Sequence, residues 1–505
     1  MIPDPDRRED RRTAIRLFVL AFVLNAWFFG GGGWNQNATI DLTRALVERG
    51  ELSIDAYARN TGDRSYHQGK TYANKAPGLS VAAVPVWAVV RGIASVAKVD
   101  LADPVALTVS VWIVTIAICG SAGALIASLL YLAGRRRGLE PPWCAAIALA
   151  AALGTPIFAF STLLFAHVPS AALLFAAFLL VTATAARPFS AGLAAGASVA
   201  MNYLVGPAAL LVALPLLRRE SRWRGLAAFA LGGMLPAVAV AAYHAAAFGS
   251  PFRTPIAAMD ERFVSPTARW LGIFELPRLD ALFGITLSPY RGLFWVAPFL
   301  LLAFAGIAKS WRRSAIESIA ACAIAVYFVL ANASFNGWEG GFSFGPRYLV
   351  PAIPFLALLL LEARRVPRLL FWGLVAISCA NNFVAVAVDP QPSGSIAHPL
   401  RDYLYPVLIS GEVPEGVEVM PQWSASLLRG HVAINPHTVD QAIPFTRHAP
   451  GSRASTWASF NVGELATGAG SAWSLLFPVI WMVGGWWWIA CAAATRKETP
   501  TRSSP

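Results

Sequence analysis

Runs of about 20 apolar residues, the length a helix needs to cross a bilayer, recur along this chain from residue 13 to residue 492. In hydrocarbon a backbone must satisfy its own polar groups, so segments of this kind fold as helices. Only 13% of the 505 residues are charged and 56% are hydrophobic. Soluble domains carry about a quarter charged residues, so the expected fold is an all-α polytopic membrane protein. The net charge of +12 would suit a nucleic-acid partner, but its distribution does not. Basic residues cluster at 7–12, 135–137, 218–224, 309–313, 364–368 and 496–497, between apolar runs. That spacing is the positive-inside pattern, which reports topology and contact with anionic lipids.

The spacing predicts spans near 13–30, 78–97, 104–133, 143–160, 163–186, 225–247, 289–309, 314–332, 347–362, 368–388 and 472–492. The stretch 190–217 is interrupted by Asn202-Tyr203 and Gly206-Pro207, and reads as two short helices meeting at Asn202. The total is about thirteen membrane segments of the length a bilayer requires. Sidedness alternates cleanly after Arg187, whereas between 78 and 133 it is out by one crossing. The division is a cytoplasmic N-terminus (1–12), a transmembrane domain (13–388), an external polar segment (389–471), a last helix (472–492) and a tail (493–505). The first helix has no small-residue cleavage site and reads as uncleaved. Cys119, Cys144, Cys322, Cys379 and Cys491 fall inside apolar spans, which argues against disulfides or a cysteine metal site.

Chemistry concentrates in the first external loop, 34–77, which carries Asp41, Asp55, Asp63, His67, Lys70 and Lys75. Residues 39–49 read as an amphipathic helix lying in the membrane interface, stopped by Gly50. The remainder reads as turns around Thr61-Gly62-Asp63 and Gln68-Gly69, and Pro77 opens the next helix. Asp41, Asp55 and Asp63 are candidates for a base, or for oxygen ligation of Mg²⁺ or Mn²⁺. Asp41 can equally be a surface charge paired with Arg44, and Asp63 a turn residue. Lys75, one step before a helix, can hold a lipid phosphate or simply snorkel. Arg347 in GPRYLVP stands at a helix N-terminus, where anions are favoured. His167 in FAHVPSA is a membrane-level polar group serving either function or helix packing; Arg291 in SPYRGLFW is read the same way. Asn37 and Asn332 head glycosylation sequons.

The helix, glycine and GKTYANKAPG of this loop resemble the first periplasmic loop of GT-C glycosyltransferases, especially family 39 and the lipid A aminoarabinose transferases. In that pattern an acidic pair precedes the helix, and Tyr-Phe-x-Lys-Pro-Pro closes the loop. Here Lys75-Ala76-Pro77 takes the place of Lys-Pro-Pro, and the AGASVAMNYLVGP segment is similar to the family's broken helix pair. FGSPF, SPYRGLFWVAP and WEGGFSFGPRYLVPAIP look closer still to a subfamily of uncharacterised bacterial membrane proteins. Two positions depart from the pattern. Asn35-Gln36 stand where the acidic pair belongs, and Asn202 where the broken helix carries lysine.

The resemblance implies a GT-C-like bundle that moves a sugar from a polyprenyl-phosphate donor to a cell-envelope glycan, lipid or protein, at the outer face of a bacterial cytoplasmic membrane. It implies phosphate and donor contacts from Lys75, Arg347, Tyr72, Asn202, His167 and Arg291. Asn35, Asn37 and Glu339 would face the acceptor or shape the loop, and the base would come from Asp41, Asp55 or Asp63. A divalent metal, if used, would sit on Asp55 and Asp63. Other readings are a non-catalytic scaffold of the same fold, or a lipid-linked-sugar transporter. Transport is disfavoured by span centres almost free of charge and by the lack of an internal repeat.

Overall fold

The computed structural model describes residues 4–411, 413–417, 460–467 and 471–495. Most of the polar segment 389–471 beyond Val417, the basic pair 496–497 and the tail after 495 lie outside the described residues. What is described is mainly helices and the loops between them, with two short antiparallel strand pairs. Among the described residues six helices are long and apolar enough to cross a membrane: Gly78–Val96, Val105–Arg136, Arg222–Phe248, Ala315–Ala333, Arg368–Val388 and Ala472–Ile489. Shorter apolar helices, among them His167–Thr182 and Pro188–Met201, pack between them. The chain is a multi-pass membrane protein.

Helix α1 (Asp4–Trp27) sets the vertical scale of the molecule. Beside it, antiparallel, runs one long helix made of α4 (Pro104–Thr115), a π turn and α5 (Ser121–Arg136). Trp112 donates to the Ala26 carbonyl at 3.2 Å, Asn25 to the Gly120 carbonyl at 2.9 Å, and Ser128 to the Ala14 carbonyl at 2.7 Å. At the far end Arg135 Nε lies 2.6 Å from Asp10 Oδ1, which also accepts from Tyr131. The basic cluster at 135–137 and the start of α1 therefore share one end of the bundle, and the first loop occupies the other.

This geometry restores the missing alternation. Helix α2 (Trp34–Arg44), prolonged by a π turn to Arg49, lies in the first loop, and α3 (Gly78–Val96) packs along it. Thr43 donates to the Ser80 carbonyl, Ser80 to the Thr39 carbonyl, Trp87 to Glu48 and Arg91 to the Val47 carbonyl. Contacts so spaced follow α3 from its first turn to Arg91. Leu107 and Val111 of α4 join the same apolar cluster as Trp87. Both ends of α3 thus lie on the first-loop side, and the apolar stretch 78–97 does not carry the chain across. Its outer face, with Val81, Val89, Ile93 and Val96 exposed, has the one-sided apolarity of an interfacial helix.

Other boundaries also shift. The stretch 143–160 divides at Gly154 into Pro141–Leu153 and Pro156–Ser161. The loop helix begins at Trp34 rather than 39 and is buried along Gln36–Thr43, so it does not lie open in the interface. Apolar contact alone could not place it, because α3 covers one side and the loop covers the other. The break at Asn202 stands where the sequence puts it. Pro188–Met201 ends there, the Asn202 side chain accepts from Leu204 N at 3.2 Å, and a short helix follows from Gly206 to Leu211.

Candidate functional site

The site is built by a hairpin where the sequence alone predicts turns. Strands β2 (Arg64–His67) and β3 (Lys70–Ala73) pair antiparallel; the small pair formed by β1 (Phe28–Phe29) and β4 (Phe460–Asn461) lies apart from them. Gln68 and Gly69 have φ of 49° and 75°, the left-handed pair that a two-residue hairpin turn demands. Register then does the positioning. Arg64 faces Ala73, so the residues just beyond, Asp63 and the start of Asn74-Lys75, meet at the open end. The amide of Asn74 donates to the Asp63 carbonyl at 3.2 Å. Lys75 Nζ lies 2.9 Å from Asp63 Oδ2. Thr61 anchors the approach, donating to the Trp34 carbonyl and accepting from Asp63 N.

Lys75 and Asp63 line a cavity of about 740 Å³ together with residues from distant parts of the chain. Asn35 and Asn74 come from the first loop, His167 from a helix start, Asn202 from the broken pair, and Glu339 and Arg347 from the loop before residue 353. Phe165, Leu204, Ile256, Met259 and Phe335 supply apolar wall. The Arg347 guanidinium sits 5.6 Å from the Phe165 ring centre and 4.9 Å from that of Tyr348, whose hydroxyl accepts from it at 2.8 Å. Among the described residues Arg347 has no carboxylate partner, and its Nε is unbonded. A side chain on Gly340 would press on that arginine at 3.2 Å. Arg347 and Lys75 both lie close enough to act electrostatically on His167, whose Nδ1 is buried without a hydrogen bond. The Asn202 amide nitrogen and the Asn74 amide oxygen are likewise buried and unbonded. The cavity therefore presents two cations, two carboxylates and several unspent amide groups.

Asp41, Asp55, Tyr72, Asn37 and Arg291 do not line it. Asp41, on α2, is fully buried, with Asn60 donating to it at 3.4 Å. Burial pushes its carboxyl well above the usual range, against the pull of Arg44. Arg44 in turn bonds Glu48 at 3.1 Å, so it is not the direct partner of Asp41 that the helical spacing suggested. Burial acts to raise Glu48 too, but Arg44 and hydrogen bonds from Tyr57 and Trp87 outweigh it and hold the carboxyl low. Asp55 is exposed and accepts from Thr71 N at 2.7 Å. Tyr72 packs on Phe248, ring centres 5.0 Å apart. Both sequon asparagines are fully buried, Asn37 donating to the Asn60 carbonyl and Asn332 to that of Trp338, so neither presents a glycan site. Arg291 is fully buried and donates to the Gly341 carbonyl at 2.8 Å, clamping the neighbouring loop.

Among the described residues no group of three His, Cys, Asp or Glu side chains is placed to hold a metal ion. Asp55 and Asp63 serve different partners, Thr71 and Lys75. Of the cavity residues, Asn74, Tyr348 and Asn336 were not singled out in the sequence. Asn74 stood inside the YANKAPG motif, but an asparagine carries no periodicity that marks it.

No protein-family model and no curated protein matches the chain. Among solved structures it is similar to ArnT from Cupriavidus metallidurans in the apo state, at 15% identity and a TM-score of 0.47, over 80% of this chain and 70% of that one. ArnT bound to undecaprenyl phosphate gives 17% identity and a TM-score of 0.45, over 74% of this chain and 63% of that one.

Proposed function

We propose that the protein is a membrane glycosyltransferase that takes a sugar from a polyprenyl-phosphate donor and passes it to an acceptor at the face opposite the 135–137 basic cluster. One observation carries this reading. A lysine from the first loop and an arginine more than 270 residues later line the same cavity as two carboxylates, among apolar walls. Cations at that position neutralise a departing phosphate. Phosphate needs little protonation to leave, so one carboxylate that accepts the acceptor's hydroxyl proton completes the set. The acceptor oxygen bonds the anomeric carbon as the carbon–phosphate-oxygen bond breaks, and the polyprenyl phosphate leaves with the electron pair. Displacement in line inverts the anomeric centre.

Lys75 acts as a point charge and Arg347 as a planar donor array. Asn35, Asn74 and Asn202 offer hydrogen bonds to sugar hydroxyls. Asp41 and Asp55 lie outside the cavity and take no part. The setting is a cell-envelope membrane, with an envelope glycan, lipid or protein as acceptor.

The test uses the full chain in lipid nanodiscs, with undecaprenyl phosphate binding read by native mass spectrometry. Lys75→Met and Arg347→Met should each weaken binding roughly 10- to 100-fold, the worth of a hydrogen bond to a charged group. Wild-type protein that neither binds this lipid nor transfers any sugar from a panel of polyprenyl-phosphate hexoses and pentoses to envelope extract would refute the proposal.

A further inference from the structure

The cavity holds two carboxylates in unequal states. Asp63 is engaged, its oxygen 2.9 Å from the Lys75 ammonium. Glu339 lines the same cavity, half-buried, with no hydrogen bond or ion pair among the described residues. Its backbone, in contrast, is held from both sides. The preceding carbonyl, of Trp338, accepts from buried Asn332 at 2.9 Å, and the Trp338 ring packs edge-on to Tyr290. Two residues on, the Gly341 carbonyl accepts from the buried Arg291 guanidinium. Gly340 and Gly341 both take left-handed φ, 77° and 61°, a bend that side-chain-bearing residues rarely adopt. The buried Arg291 guanidinium gives its hydrogen bonds to the carbonyls of Gly341, Pro392 and Ser393, and its charge acts on Glu339 with no hydrogen bond or ion pair between them. Chain is thus clamped, at the cost of a buried arginine, around one carboxylate that accepts no hydrogen bond among the described residues.

We infer that Glu339 is the general base of the transfer and that Asp63 is a positioning residue that orients Lys75. This rests on the transferase reading above and assigns its proton acceptor. A base must have its lone pairs available to the incoming hydroxyl, and a carboxylate locked to an ammonium is compromised in that task. The acceptor hydroxyl gives its proton to Glu339, its oxygen joins the anomeric carbon, and the polyprenyl phosphate departs toward Lys75 and Arg347. The clamp on Gly341 makes Arg291 a second positioning residue.

The experiment compares Glu339→Gln, Glu339→Asp and Asp63→Asn in nanodiscs, each measured for transfer from the donor panel and for binding of the lipid phosphate. Glu339→Gln should lower turnover about 10²- to 10⁴-fold, the span general-base catalysis contributes, with lipid-phosphate affinity unchanged; that retained binding also reports an intact fold. Glu339→Asp, which keeps a carboxylate, should recover part of the loss. Asp63→Asn should keep turnover within about tenfold. Undiminished turnover in Glu339→Gln, or the large loss appearing in Asp63→Asn instead, overturns the assignment while leaving the transferase reading intact. A wild type that binds no lipid phosphate and moves no sugar overturns both.

Discussion

Lys75 and Asp63 form a 2.9 Å ion pair across the open end of a β-hairpin, inside the cavity where a phosphate would have to bind. The pair is partly exposed, so its own worth is modest, up to about 1 kcal/mol. An arriving phosphate competes with Asp63 for the same ammonium. Asp63→Asn should therefore tighten lipid-phosphate binding by up to about fivefold, and the gain should shrink as salt rises. Native mass spectrometry or calorimetry at low and high ionic strength measures this, and weaker binding in the variant would show that the pair assists the phosphate instead of opposing it.

Asp41 should make stability fall with rising pH. Burial raises its folded-state carboxyl above the unfolded value of 3.8. Below that value both states hold the proton and the group costs nothing. As pH climbs past it the unfolded chain ionises while the folded one does not, so folding is progressively penalised. Asp41→Asn removes this term. Thermal unfolding of both proteins near pH 4 and pH 8 should show the variant gaining on wild type at the higher pH; a variant that loses ground to wild type between pH 4 and pH 8 contradicts the assignment.

Helices Pro188–Met201 and Arg222–Phe248 meet through glycines. A Cβ on Gly192 would strike the Phe229 carbonyl, and one on Gly232 the Phe189 carbonyl, backbone against backbone. Small residues permit this approach between membrane helices. Gly192→Val or Gly232→Val should cost roughly 1–3 kcal/mol through overpacking. Gly373, with nothing within 4 Å of its added Cβ, is the control. Gly373→Ala should be neutral or stabilising by up to about 1 kcal/mol. Unfolding temperatures in detergent decide between the two classes.

Asn202 caps the helical turn that follows the break, through Leu204 N. Asn202→Ala should cost about 1 kcal/mol, as loss of a cap does, while Asn202→Asp or Asn202→Ser should restore most of it. Equal destabilisation by all three would mean that cavity packing, and not capping, holds the segment.

The membrane character, the basic end of the bundle and the break at Asn202 were legible in the sequence, because each depends on local composition or on residues adjacent in the chain. A run of apolar residues favours a helix through its own composition, and Asn202 with Gly206-Pro207 gathers helix-interrupting residues into one short stretch. The course of α3 was not legible. Its composition is that of a span, and only its hydrogen bonds to α2 show that it returns on the same side. The three loop aspartates looked alike in sequence, yet one is buried, one exposed and one paired in the cavity. Burial and pairing depend on which distant elements close over a residue. For the same reason the meeting of Lys75, Glu339 and Arg347 was decided only by tertiary packing: charge and residue type are written in the chain, but the cavity that makes a site of them exists only once helices far apart in sequence stand side by side.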